Sequence, residues 1–264
     1  MRVFVGMETS GVVRRAFAAK GCEVISCDLL PSQDGADVSM PVAINGGGHI
    51  QGDIFDVLDR LESLGWMPDL GIFHPDCTYL TASAEWAYAD PDFAKYPGVG
   101  YHQNVEPGTL TGAVRREARE EAVEMVRRIW RLKIRRKCVE NPVGYLSTAW
   151  RKPTQIIQPN RYGDDASKKT CLWLLNVPAL IPTKTVRGRF VKKEGHLTRF
   201  VERWDNQTDN GQNRLSQTDD RWQKRADTYP GIAAAMVDQW LNPFQGALFD
   251  AVDVDDLQIM RKTA

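Results

Sequence analysis

The stretch RVFVGMETSGVVRRAFAAKGCEVISCD, residues 2–28, decides the fold. Arg2 to Met7 is a short apolar run that reads as a buried strand. Gly11 to Lys20 carries Val12, Val13, Ala16 and Phe17 at helical spacing, and Cys22 to Cys27 is a second strand ending at Asp28. Strand, helix and strand in under thirty residues make a βαβ unit, and so an α/β domain built on a parallel sheet. Outward from it, a polar, Gly-rich loop (32–49) leads to Ile50-Gln51-Gly52-Asp53-Ile54 and a helix to about Leu64. Asp69 to Phe73 supplies another strand. Residues 86–112, rich in Pro, Gly, Tyr and Asp, are too long for an ordinary connector and read as a functional loop or lid. Ala113 to Leu132 is an amphipathic crossover helix, with Val114, Ala118, Ala122, Met125, Val126 and Ile129 as its expected apolar face. Lys137-Cys138-Val139 and Thr170 to Leu175 are further strands, and Ile232 to Leu241 is a late helix after Pro230-Gly231.

With 264 residues the chain has room for one large α/β domain plus a small insert. Its formal net charge is zero, so any nucleic-acid partner must be held by local patches rather than a global field. Five cysteines (22, 27, 77, 138 and 171) form no CxxC pair or zinc-finger spacing; they read as reduced thiols, and no metal site is expected. No segment has the length of a signal peptide's apolar core or of a membrane span, so a soluble, cytoplasmic protein with no membrane partner is expected.

In a doubly wound sheet, ligands lie outside the carboxyl ends of the strands. Those ends carry Glu8-Thr9-Ser10-Gly11, Asp28 and Asp53 in succession. A small-residue turn opening a helix can lie against a ligand, an acid ending the second strand can take ribose hydroxyls, and Asp53-Ile54 can flank an adenine. The order suits an adenosine-bearing cofactor. A lone Gly11 is no dinucleotide or phosphate-loop motif, and the alternative is that Asp28 caps a turn and Gly11 is a tight bend.

Two later segments carry reactive groups: HPDCTY at 74–79 and VENP at 139–142. Cys77 follows Pro75 at the exit of one strand, and Glu140 ends a later one at the same sheet edge. A buried inert thiol and a turn-stabilising carboxylate are the alternatives for each alone. Together at one edge, a nucleophile and an acid suit chemistry on an aromatic base.

Taken in order, ETSG with residues 12–17, SCDLLP (26–31), QGD (51–53), HPDCTYLT (74–81), VENPVG (139–144) and QPNRYGDDASKKTCLWL (158–174) resemble DNA cytosine-5 methyltransferases of phages and prophages. The likeness covers most of residues 1–183 and resumes at YPGIA (229–233). It implies a Rossmann-like S-adenosylmethionine-dependent methyltransferase fold and, as partner, cytosine-containing DNA in a bacterial host cell. Cys77 takes the position of the Pro-Cys nucleophile and Glu140 that of the Glu-Asn acid. Asn141 would orient the loop, and Arg161 approximates the arginine that helps hold the covalent adduct. The cofactor set it implies is Glu8, Thr9, Ser10, Gly11, Asp28, Leu29, Asp53, Ile54 and His74.

The chemistry accounts for these residue types. Cytosine's fifth carbon is a poor nucleophile, so a thiolate first adds to the sixth carbon while an acid neutralises charge developing on the ring. The base must be flipped from a duplex or presented single-stranded, at a cost of roughly a few kcal/mol. Lys168 and Lys169, with Arg187, Arg189, Lys192, Lys193 and Arg199, are the expected DNA contacts. The expected organisation is a catalytic domain over 1–183 and 229–247, a small basic recognition insert at 184–228, and an acidic tail at 248–264; a merely solvated basic loop is the alternative for the insert.

Where related sequences commonly have His-Pro-Pro-Cys, this chain has Asp76 beside Cys77, a like charge that disfavours the thiolate. The glycine-rich cofactor loop retains only Gly11, the arginine pair is reduced to Arg161 and the insert is short, so low sequence specificity is expected. Three readings follow: a cytosine-5 methyltransferase, an exocyclic amino-group methyltransferase that would work without Cys77, and a catalytically impaired cofactor- and DNA-binding protein. The absence of an Asp-Pro-Pro-Tyr-type run counts against the second.

Overall fold

A computed structural model describes residues 1–40, 43, 46–82, 84–193, 195, 198–215 and 227–241. The acidic tail and part of the insert lie outside these residues. Strands β1 (Arg2–Gly6), β2 (Glu23–Asp28), β3 (Gly48–Gln51), β4 (Leu70–Phe73), β5 (Arg136–Pro142), β6 (Gln155–Ile157) and β7 (Thr170–Leu175) form one sheet in the order β3-β2-β1-β4-β5-β7-β6. The first five are mutually parallel, and β7 is antiparallel to both its neighbours. The chain adds β2 and β3 on one side of β1 and then reverses to add β4 and β5 on the other. That reversal opens a crevice at the carboxyl ends of β1 and β4.

Alternation along the strands distributes the core to two faces. Phe4, Ile25, Phe73 and Val139 pack with α2 (Ile54–Ser63) and α3 (Gly112–Arg131). Val3, Val5, Val24, Leu70, Ile72 and Cys138 pack with α1 (Val12–Ala18) and α4 (Pro230–Trp240). Buried on both faces, β1 and β4 are apolar runs without polar alternation, which is why they stand out in the sequence.

The crossover helix α3 departs from its expected face. Val114 is exposed, and the N-terminal half buries Arg115 and Arg119 instead. Aromatic rings make this possible: Arg115 lies over Tyr79 and Tyr88, and Arg119 over Tyr88 and Tyr145. Arg119 also donates to the Tyr79 carbonyl and pairs with Glu85 at 2.8 Å. A guanidinium on an aromatic face is worth about 2 kcal/mol when desolvated. These contacts fasten the residues after Cys77, including a 3-10 turn at Glu85–Tyr88, onto α3. At the other end of the helix, the buried Lys137 donates its ammonium to the Trp130 and Leu132 carbonyls, where the helix dipole favours a cation.

Three strands come without a sequence signal strong enough to expect them. The three-residue β6 is held only at the edge of β7, and the hairpin of β8 (Arg189–Lys192) and β9 (Phe200–Arg203) lies in the insert, separate from the main sheet. The insert is docked by Asn206, whose side chain exchanges two 3.0 Å hydrogen bonds with the Ser167 backbone.

Gly144 explains the glycine of the VENPVG motif. The Tyr145 N–H donates to the Leu80 carbonyl at 2.7 Å, and Gly144 bridges Thr81. A Cβ at Gly144 would run into that same carbonyl and lie 3.0 Å from the Thr81 Cα. Gly144→Ala is therefore expected to cost about 2 kcal/mol through overpacking and to lower the urea midpoint. An unchanged midpoint would contradict this account of the loop packing.

Candidate active site at the carboxyl edge of the sheet

The backbone sets the position of Cys77 before any side chain acts. After β4, the His74 N–H still bonds the Gly6 carbonyl, carrying the ladder one residue further. Pro75 then turns the chain, and its carbonyl accepts the Asn141 side-chain amide at 2.8 Å. Asp76 Oδ1 accepts from the Thr78 N–H and hydroxyl at 3.0 and 2.8 Å, an Asx turn that places Cys77 at its bend. The Cys77 carbonyl takes the N–H groups of Leu80 and Thr81, and Leu80 anchors the turn in the core. The thiol is half-buried on a loop stapled to the exit of β5.

Glu140 and Asn141 lie within β5, not beyond it, opposite Leu172 and Cys171 of β7. Glu140 is buried, and its Oε2 lies 3.2 Å from His74 Nδ1. Burial alone would raise its pKa. The hydrogen bond from His74, the charge of Lys168 and the Thr170 hydroxyl outweigh it and hold the carboxyl below its ordinary range. Cys77 goes the other way: burial first, then Asp76 and Glu140, raise the thiol, and only Lys168 opposes them among the charges. The direction agrees with the like-charge effect expected of Asp76.

The cofactor-side residues gather around the crevice but share the work unevenly. Glu8 is buried; its Oε1 accepts from the Val13 N–H at 2.8 Å and from Ser10, whereas Oε2 is buried with no hydrogen-bond partner. Ser10 also accepts from the Val12 N–H. Asp28 ends β2 with its carboxyl raised by burial, and Leu29 beside it is 69% exposed. Thr9 is engaged by Gln33, through its carbonyl and its hydroxyl. Gly11 takes a left-handed φ of 67°, and the space a Cβ would fill there holds Arg14, Arg15 and Asp34. Burial notwithstanding, Ser32 and the two arginines hold the Asp34 carboxyl down at about 2. Asp53 caps α2 by accepting from the Phe55 and Asp56 N–H groups. Ile54 is in the core, so its side chain offers no surface to an adenine. His74 faces Glu140 rather than any of these residues.

An orphaned buried carboxylate oxygen on Glu8, a half-buried acid at Asp28 and the exposed Leu29 are groups that fit the ammonium, ribose hydroxyls and adenine of S-adenosylmethionine. The fit rests on these three rather than on Gly11.

The basic residues divide sharply. Arg161 is exposed, and among the described residues no hydrogen bond or ion pair joins its side chain to Cys77, Glu140 or Asn141. Lys168 is half-buried instead; its charge acts on both Cys77 and Glu140, and its ammonium donates to the Asp227 carbonyl at 3.3 Å. Lys169 is exposed. In the insert, Arg189 spends its guanidinium on Asp209 and on the Trp204 and Gln207 carbonyls, and Arg187 pairs with Glu202 at 2.9 Å. Lys192 and Arg199 are exposed, with Lys193 half-buried. Register puts Phe190, Lys192 and Phe200 on one open face of the hairpin.

Sequence reasoning missed Asp227 and Gln33. Asp227 is raised by burial, hydrogen-bonds Gln33 and feels both Lys168 and Glu8, so it links the cofactor side to the Glu140 side. Neither residue lies in a motif, and only the closed fold brings them there. Among the described residues, no group of three His, Cys, Asp or Glu side chains could hold a metal ion.

The raised thiol gives a direct test. Thiolate is scarce at neutral pH, so alkylation of Cys77 is expected to quicken as pH rises toward its raised pKa. Asp76→Asn removes a neighbouring charge and keeps the Oδ1 acceptor for Thr78, and should speed alkylation at pH 7 by about threefold or more. Lys168→Met should slow it. Mass-spectrometric alkylation rates that are equal in the three proteins, or that rank them in another order, would refute this electrostatic account.

No protein-family model matches the chain, and no curated protein matches it.

Proposed function

We propose that the protein is a DNA cytosine-5 methyltransferase with a Rossmann-like catalytic domain, as its motif order suggests. The observation that carries this reading is the 2.8 Å hydrogen bond from Asn141 to Pro75, which holds the Cys77 loop against the strand bearing Glu140. The thiol then lies close enough to Glu140 for the carboxylate to act on it, on the sheet edge that also bears Glu8, Asp28 and Leu29.

Glu8 would hold the ammonium of S-adenosylmethionine, Asp28 its ribose and Leu29 its adenine; when bound there the cofactor supplies the methyl group. Cys77, as thiolate, adds to the sixth carbon of a cytosine. Lys168 lowers the cost of forming that thiolate against Asp76 and Glu140. Glu140 meets the ring nitrogen and hands it a proton as charge develops, since an acid within reach of the reacting ring contributes about 10²–10⁴ in rate. Once the fifth carbon carries the methyl group, it loses its proton, the sulfur–carbon bond breaks and Cys77 leaves as thiolate. Lys169, Lys192 and Arg199, all exposed, and the half-buried Lys193 would hold phosphates, with Phe190 and Phe200 on the open hairpin face.

The raised Cys77 thiol favours one alternative, a cofactor- and DNA-binding protein that transfers nothing. Labelled S-adenosylmethionine, incubated with the protein and a set of DNAs that are then digested to nucleosides, separates the readings. Label on 5-methylcytosine is expected, with loss of at least about a thousandfold in Cys77→Ala. Label on an exocyclic nitrogen, or no labelled nucleoside with any DNA, would overturn the proposal.

A further inference from the structure

The acid of the proposed reaction has an unsettled proton supply. Glu140 must give a proton to the ring nitrogen, yet in the free protein its carboxyl is held below the ordinary range and so starts ionised at neutral pH. A carboxylate facing a ring that is gaining negative charge opposes the addition.

The nearest group able to remedy this is His74. It leaves β4 one residue beyond the last sheet pair, and its Nδ1 lies 3.2 Å from Glu140 Oε2, with the two side chains 9% and 11% exposed. Its other nitrogen, Nε2, is buried with no hydrogen-bond partner, as is Asn141 Oδ1 next to Glu140 in the chain. A core histidine kept for packing alone would have both nitrogens satisfied. One nitrogen on the acid and the other unpartnered suit a group that changes its protonation when substrate arrives.

We propose that His74 is a positioning residue that stores the proton Glu140 delivers, so that the pair works as a single acid; this rests on the cytosine-5 reading. In the addition step, the Nδ1–H bond of the His74 imidazolium breaks and an O–H bond forms on Glu140. Glu140 passes its own proton to the ring nitrogen as the Cys77 sulfur–carbon bond forms. On elimination the ring nitrogen returns that proton to Glu140 and His74, and the proton lost from the fifth carbon leaves to solvent, so the pair ends as it began. The groups around it are Lys168 and the Thr170 hydroxyl at the start of β7, Cys171 in β7, Cys138 in β5 itself, and Cys77 with Asp76 on the loop. The lysine keeps Glu140 ionised between turnovers. The Cys138 and Cys171 thiols are raised by burial and so do not compete for the proton.

The pH profile of kcat/KM for methyl transfer tests this, using the full-length protein, His74→Asn and His74→Ala. Asparagine keeps an N–H near the position of Nδ1 and so can still hold Glu140, but it stores no proton. The wild type is expected to lose activity on the alkaline side as the His74–Glu140 pair gives up its shared proton. In His74→Asn that limb should move down by at least about one pH unit, toward the carboxyl range, with kcat reduced about 10–100-fold. An asparagine variant with wild-type rate and limb, rescuing the alanine variant, would reduce His74 to a holder of the carboxylate and overturn the proposal. A wild type that gives no labelled product would instead sink the cytosine-5 reading itself.

Discussion

The hydrogen bond between the Asn141 amide and the Pro75 carbonyl is the constraint on which the site's geometry depends. Parallel pairing of β4 with β5 brings the two strand exits within reach but leaves the loop after Phe73 undirected. The buried amide fixes it, and leaving that carbonyl or amide unmatched in the core would cost about 1–3 kcal/mol. The Leu80–Tyr145 hydrogen bond and the close approach at Gly144 fasten the same loop further along. Arg115 and Arg119 then bind the following segment to α3, so the thiol's position is defined from both sides.

Charge runs against the Cys77 thiolate within that frame. Burial, Asp76 and Glu140 all disfavour the Cys77 thiolate, and Lys168 is the counterweight. The same lysine, with His74, keeps Glu140 ionised. Thiol and carboxyl are therefore coupled directly and through one cation, Lys168, and a substrate that changes the balance at Glu140 changes it at Cys77 as well. Asp227, which accepts from Lys168 and senses Glu8, extends the coupling toward the cofactor side.

Much of this could be read from the chain, because β1, β2, β4, β5 and β7 each carry a short apolar run and the motif residues sit at or near their exits. The βαβ start, β4, β5, β7 and the last helix were all legible for that reason. The three-residue β6 was not, since so short an edge strand leaves no periodicity. The face of α3 was misread because Arg115 and Arg119 look like solvent residues until Tyr79, Tyr88 and Tyr145 fold against them. Likewise His74, expected beside the cofactor, pairs with Glu140. Lys168, expected on phosphates, is drawn into the site, and Ile54 is drawn into the core. Each depends on a partner distant in sequence, which local pattern does not reveal.

The most direct measurement is to incubate the protein and S-adenosylmethionine with DNA carrying 5-fluorocytosine, whose fifth carbon cannot release a proton, and to map any covalent protein–DNA species by peptide mass. The account predicts a stable adduct on the peptide containing Cys77, carrying one added methyl group, and none in Cys77→Ser. A protein that methylates cytosine-containing DNA yet forms no adduct, or forms one on another cysteine, would contradict it.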